Sequence, residues 1–343
     1  MDILKKNLLD LISFHAPSGY ETPVSDYIMQ ELEPLGYEVK RDVMGNVTAT
    51  KAVSDDAPLF LVTAHMDQVG LVVTKIVNGF IGVRCVGTIN MSIGYGLPYM
   101  ILTENGPVPA VAISPSVHLD QQFSEVWLDA GPRVSGVQPG DPVVFDSDIR
   151  WLNDEETVLA GRSMDDRIGC CVLLSLARAL DKEKLSVNLV IGFTVQEEIS
   201  ARGAEQLGRK LEPDYAIAVD TGLADDPVQG VAQGQPALGT GPIIRTFEAL
   251  NPDRGGFVNF ADREIVKGLK DASEDVGAQY HIEASFMLYT DASGLRKSSP
   301  NTRSAYLGVP RRYSHSPYEV ADLGAVAETA KVLETYFRKN WTV

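Results

Sequence analysis

Residues 59–67 read Leu59-Phe60-Leu61-Val62-Thr63-Ala64-His65-Met66-Asp67, a short apolar run that delivers a histidine and an aspartate at its end. Such a run is the pattern of a strand buried on both faces. Strand alternation puts His65 and Asp67 on one side. A carboxylate two residues on can hold the second nitrogen of an imidazole that binds a metal. The plainer reading of the pair is a satisfied structural hydrogen bond.

Two further runs repeat the pattern downstream, SVNLVIGFTV at 186–195 and YAIAVD at 215–220. Between and after them lie helical patterns at 166–180, 201–211, 260–277 and 323–339, with strand-like stretches HIEASFML at 281–288 and SAYLGVP at 304–310. This alternation predicts an α/β fold: a mainly parallel mixed sheet sandwiched by helices. Upstream, Ile3, Leu4, Leu8, Leu11 and Ile12 mark one amphipathic helix, and a second follows the APSGYE turn over Pro23 to Leu32. EVKRDV and NVTATK form a hairpin around Met44-Gly45-Asn46.

Residues 72–155 have another character. Strand-like runs flank Asn78-Gly79 and again Asn105-Gly106, a strong hairpin signal, and QPGDPVVFD follows. This stretch reads as a small all-β barrel or sandwich inserted into a catalytic domain made of residues 1–71 and 156–343.

The chain has 343 residues, 44% of them hydrophobic and 22% charged, with a formal net charge of −16. That balance argues against nucleic acid or anionic membrane as partners, because phosphate binding needs clustered Lys and Arg. Cys85, Cys170 and Cys171 give no disulfide framework. No apolar stretch reaches bilayer length and the N-terminus has no signal-peptide pattern, so a reduced, cytoplasmic protein is expected.

Five places carry polar groups where a fold of this class puts its chemistry. Beside His65, Asp165-Asp166 precedes a buried helix; a carboxylate there is an N-cap or a bridge between two metals. Glu197 and Glu198 end a fully apolar strand, where carboxylates are costly unless something positive compensates them. Neighbouring side chains point differently, so one can ligate while the other takes a proton; a solvent-facing helix start is the alternative. Asp220 ends YAIAVD, as a cap or a ligand, and His315 lies in the loop after SAYLGVP. In open α/β sheets the functional crevice lies at the carboxyl ends of the strands, where His65, Glu197-Glu198 and Asp220 fall. Two divalent cations would balance Asp165, Glu198, Asp220 and a hydroxide, with two neutral imidazoles completing a near-neutral site. Nitrogen and oxygen donors without thiolate suit zinc, with cobalt or manganese as alternatives.

With these residues placed, the chain resembles metallopeptidase family 42, the tetrahedral (TET) aminopeptidases and their FrvX-like homologues. The resemblance runs nearly end to end: PSGYE, Asp42 with Gly45-Asn46, AHMDQVG, MDDRIG, VQEE with RGA, the Asp220 strand, Thr290-Asp291-Ala292 and RYSHSPYE. It implies one metal on His65, Asp165 and Asp220 and another on Asp165, Glu198 and His315, with Asp165 as the bridge. It further implies Glu197 as general base, Asp67 as the partner orienting His65, and peptide substrates with a free N-terminus. The inserted β domain, barrel-like or PDZ-like, would serve dimerisation, and dimers would build a tetrahedral dodecamer. Three stretches depart from the family pattern: Gln68 where Glu is frequent, Ile199 to Gly203 after the paired glutamates, and Thr221-Gly222 after Asp220. They put substrate preference in doubt, not the ligands. The rivals are a dinuclear carboxypeptidase or N-acyl amino acid deacylase, a metal-independent glycoside hydrolase, and a non-catalytic scaffold.

Overall fold

The computed structural model describes residues 2–90, 94–113, 126–224 and 236–343. Helices α1 (Asp2–Ser13) and α2 (Thr22–Leu32) precede a hairpin, β1 (Glu38–Arg41) with β2 (Val47–Lys51), and then the buried strand β3 (Leu59–His65). Six strands follow, β4 (Gly70–Val77), β5 (Phe80–Val86), β6 (Pro98–Thr103), β7 (Gly106–Ala112), β8 (Val126–Asp129) and β9 (Pro142–Phe145), and they close into a barrel. The chain then returns through β10 (Arg150–Trp151) and β11 (Val158–Gly161) to α3 (Met164–Leu180). Next come β12 (Asn188–Thr194), α4 (Arg202–Leu211), β13 (Tyr215–Leu223), β14 (Ile243–Leu250) and β15 (Phe257–Phe260). The last elements are α5 (Arg263–Val276), β16 (His281–Ser285), α6 (Asp291–Ser298), β17 (Arg303–Arg312), β18 (Glu319–Asp322) and α7 (Leu323–Trp341).

The large sheet runs β1-β2-β12-β3-β13-β17-β18-β11-β10, with β14 beside β17 carrying β15 and β16. Its centre, β12-β3-β13-β17, is parallel, and the flanking pairs are antiparallel except for β14 with β16. Side-chain alternation along β3 explains the two helical layers. Phe60, Val62 and Ala64 enter the main core with α1, α2, α3, α5 and α7, while Leu61 packs with α4 and α6 on the opposite face. The barrel has its own core around Leu71, Val83, Tyr99, Ile101 and Val143.

Several boundaries differ from the sequence reading. The last barrel strand ends at Phe145, and β10, which carried no strand signal, pairs with β11 in the large sheet. The first hairpin turns at Asn78-Gly79, both left-handed, but the second turns at Glu104-Asn105, since Thr103 pairs with Gly106. β16 stops at Ser285, leaving Phe286 and Met287 exposed, and β14, β15 and α6 were not anticipated.

The register brings the functional ends together. Thr194 of β12 pairs with His65 of β3, and Asp220 of β13 pairs with Gly308 of β17. Asn46 then pins the turn after β12: its Oδ1 accepts the Val195 amide at 3.0 Å, and its Nδ2 donates to the Gly203 carbonyl at 3.3 Å. A Cβ on Gly203 would lie 2.4 Å from Asn46 Oδ1 and 2.5 Å from the Val195 carbonyl oxygen. Gly203→Ala is therefore expected to cost about 1–3 kcal/mol as overpacking, read from the urea midpoint. An unchanged midpoint would show that the turn is not held this tightly.

Candidate metal centre

The side chains at the carboxyl ends of the parallel strands converge from five segments. His65 Nε2 lies 3.2 Å from Asp165 Oδ1 and 3.9 Å from Asp220 Oδ1. His315 Nε2 lies 3.3 Å from Glu198 Oε2 and 3.5 Å from Asp165 Oδ2. Asp165 thus turns one oxygen to each imidazole, and all five sequence-derived ligand candidates meet in one cage. Asp166 also stands close to His65 and Asp220. Both of its oxygens are engaged, Oδ2 by the His65 amide at 3.2 Å and Oδ1 by the Gly169 amide at 2.8 Å, so it anchors the strand end and the helix start.

Both imidazoles are held from behind. His65 Nδ1 faces Asp67 Oδ1 at 3.4 Å, and His315 Nδ1 lies 2.7 Å from the carbonyl oxygen of Thr88, in the loop after β5. In each ring the other nitrogen, Nε2, points into the cage, which is the arrangement of metal-binding histidines. Asp67 accepts Ser18 Oγ at 2.6 Å and the amides of Glu197 and Glu198 at 3.0 and 3.2 Å. Glu197 is held again by Tyr289, whose hydroxyl donates to the Glu197 carbonyl at 3.0 Å and accepts the Ser200 amide at 3.0 Å.

The electrostatics are those of a cage built for cations. Burial, reinforced by neighbouring carboxylates, pushes Glu197 and Asp220 well above the usual carboxylate range and Glu198 to about 7. Burial by itself would lower the imidazoles. Asp165 and Asp67 nonetheless hold His65 well above its ordinary value, and Glu198 with Asp165 raises His315 to about 10. Burial opposes ionisation of Asp165 too, but Arg311, His315 and His65 hold it well below the carboxylate range.

The donor set fits divalent cations. Zinc with bonds of about 2.0–2.1 Å needs ligand atoms roughly 3.3 Å apart on a tetrahedral edge, and the nitrogen–oxygen spacings here run from 3.2 to 3.9 Å. Glu198 Oε1 is buried without a hydrogen-bond partner among the described residues, a costly state that a cation would relieve. A cavity of about 520 Å³ opens at the cage, lined by Glu197, Glu198 and Asp220 together with Leu223, Leu250 and Met287. A larger hollow of about 650 Å³ around Phe260, Val266 and Lys270 contains none of these groups.

Several participants stand in the sequence only inside the family motifs, or as a departure from them, with no role of their own. Ser18 and Glu21 lie in the PSGYE turn, where Glu21 Oε1 accepts the amides of Gly19 and Gln196 at 2.8 and 3.1 Å. Glu319 accepts the amides of His315 and Asp165 at 2.9 and 3.1 Å. Gln68, one of the departures, accepts the Ala16 amide at 3.2 Å and so fixes the N-terminal turn.

Fold and cage define a metal-dependent hydrolase of the α/β peptidase type. The sequence profile of the M42 glutamyl aminopeptidase family matches residues 45–332, and the chain belongs to that family of peptidases. It is 29% identical to a glutamyl aminopeptidase of Lactococcus lactis subsp. cremoris, over 89% of this chain and 88% of the relative. An aminopeptidase from the archaeon Desulfurococcus kamchatkensis superposes with a TM-score of 0.89 at 26% identity, covering 98% of this chain and 94% of that one. The Pyrococcus horikoshii TET1 peptidase, described as assembling into a tetrahedron or a large octahedral shell, gives 0.81 at 26% identity, covering 97% and 98%.

Glu21 supplies a test of how the N-terminal turn meets the site. Burial and the Asp67 carboxylate raise Glu21 from 4.5 to about 7. It stays protonated in the fold up to that pH but ionises near 4.5 when unfolded, so its stabilising contribution is lost as pH rises through about 7. Glu21→Gln, which keeps the accepting oxygen, is expected to raise the thermal midpoint by about 2–4 °C at pH 8.5 and to leave it unchanged at pH 5. A shift of equal size at both values would contradict this account.

Proposed function

We propose that the protein is a dinuclear metallo-aminopeptidase that removes N-terminal residues from peptides with a free α-amine. The observation that carries this reading is the convergence of two histidines and three carboxylates, with Asp165 turned to both imidazoles, at a cavity lined by Glu197 and by apolar side chains. His65, Asp165 and Asp220 would hold one divalent cation and Asp165, Glu198 and His315 the other. Zinc suits the donors, with cobalt or manganese as alternatives. When bound, such cations supply Lewis acidity, making a water acidic enough to ionise at neutral pH and polarising the scissile carbonyl.

The chain's own groups do the rest. Glu197, fixed at its amide by Asp67 and at its carbonyl by Tyr289, accepts the proton of the attacking water and returns it to the leaving amine. Asp67 keeps His65 turned with Nε2 into the cage, and Thr88 does the same for His315. The site carboxylates receive the cationic α-amine of the substrate, which restricts cutting to the first peptide bond. The apolar wall of Leu223, Leu250 and Met287 takes the first side chain.

We place the catalytic unit in residues 1–71 and 156–343 and the inserted unit in 72–155, with the barrel strands between Gly70 and Phe145 as its body. The barrel serves dimerisation, and dimers assemble into a tetrahedral dodecamer in the cytoplasm. Among the described residues no helix is long and apolar enough to cross a membrane, and the net charge of −16 disfavours nucleic acid.

Two substitutions separate the roles. Glu197→Gln is expected to keep the metal content measured by plasma emission and lose about 10²–10⁴-fold in kcat on aminoacyl chromogenic substrates; near-normal turnover would remove it as the base. Asp165→Ala is expected to strip both cations, and full metal content in that variant would refute the bridge. Stripping wild-type protein with chelator should abolish turnover, and zinc, cobalt or manganese should restore it.

A further inference from the structure

A cation of the protein's own already reaches this cage. Arg311, near the end of β17, is 2% exposed. Nε donates to Thr221 Oγ1 at 3.0 Å, Nη2 donates to Asp165 Oδ2, and Nη1 lies 3.3 Å from Glu319 Oε1. Each partner is tied to a proposed ligand. Thr221 follows Asp220 in the chain, and Glu319 accepts the amides of both His315 and Asp165. The guanidinium is therefore clamped at three points and cannot swing away without breaking contacts that shape the site.

The contact is one-sided. Arg311 bonds to Oδ2 of Asp165, the oxygen 3.5 Å from His315 Nε2, whereas Oδ1 is turned to His65 at 3.2 Å. A permanent positive charge on Oδ2 draws electron density from the donor atom that a cation at the Glu198–His315 corner would share. It also repels a dication a few ångströms away. Glu319, which also accepts the amides of His315 and Asp165, offsets part of that repulsion.

We propose that Arg311 makes the two cation corners unequal, weakening the one formed by Asp165 Oδ2, Glu198 and His315 relative to the one formed by His65, Asp165 Oδ1 and Asp220. The protein then fills its centre in two separated steps. Arg311 acts through Asp165 and is a positioning residue. This inference rests on the two-cation reading above.

The test uses metal-stripped full-length protein titrated with Zn²⁺ by calorimetry and with Co²⁺ by visible absorption, which reports coordination independently of turnover. Wild type should bind two ions with affinities separated by about tenfold or more. Arg311→Met and Arg311→Gln remove the charge, and Gln keeps a donor for Asp165, so one survives if the other fails to fold. In either, the weaker step should tighten by about tenfold or more, the scale on which groups around a ligand tune metal affinity, while the stronger step moves by less than about threefold. Arg311→Lys should retain the wild-type separation. Two equal steps in wild type, or a weaker step that is unchanged or loosened in the uncharged variants, would overturn the proposal and leave the two-cation reading intact. Wild-type protein that binds no metal would remove the two-cation reading and this inference with it.

Discussion

A single buried carboxylate organises the catalytic end of the sheet. Asp67 faces His65 Nδ1 and accepts a hydroxyl from Ser18 and two amides from Glu197 and Glu198. These donors come from the end of β3, the N-terminal turn and the loop after β12, three segments far apart in sequence. An isolated carboxylate in this position would be costly to bury, and the donors are what make it tolerable. Although burial opposes it, His65, Ser18 and the Glu197 amide hold Asp67 below its ordinary range, so it stays ionised. Its demand for partners fixes which way His65 turns and where Glu197 and Glu198 stand.

Around that anchor the fold concentrates negative charge beyond what protein cations neutralise. Glu197, Glu198 and Asp220 are all raised by burial and by neighbouring carboxylates, while Arg311 and the two imidazoles hold Asp165 ionised. Cations bound here would convert an electrostatic cost into stability, since binding to the folded state alone shifts the folding equilibrium. The barrel takes part through Thr88, whose carbonyl fixes the His315 tautomer. Gly87 beside it packs against Val69, whose Cγ1 a Cβ there would approach to 3.0 Å. The inserted unit and the catalytic sheet thus share one side of the site.

Much of this was legible in the sequence because burial leaves a strong mark. The runs ending at His65, Thr194 and Asp220 are apolar on both faces, and such strands are hard to read as anything else. Their carboxyl ends locate the crevice, so the ligand candidates could be named before their distances were known. Strands whose burial is mixed were harder. β14 hides Arg245 and Glu248 against each other and Glu283, so its polar letters conceal a buried strand. The five-residue strand β16 is only half covered, and its apolar tail Phe286-Met287 belongs to the exposed segment beyond it. Arg311 and Tyr289 were silent for another reason. Their roles are contacts between distant segments, and nothing local in the letters distinguishes a buried guanidinium on a ligand from a solvated one.

Whether the gathered side chains hold a pair of ions is decided most directly by anomalous diffraction at the zinc edge from crystals grown with the metal. The account predicts two peaks per subunit, one among His65, Asp165 and Asp220 and one among Asp165, Glu198 and His315, with Asp165 bonded to both. Crystals showing no ordered ion inside this cage, or ions bound elsewhere with either imidazole turned away, would contradict it.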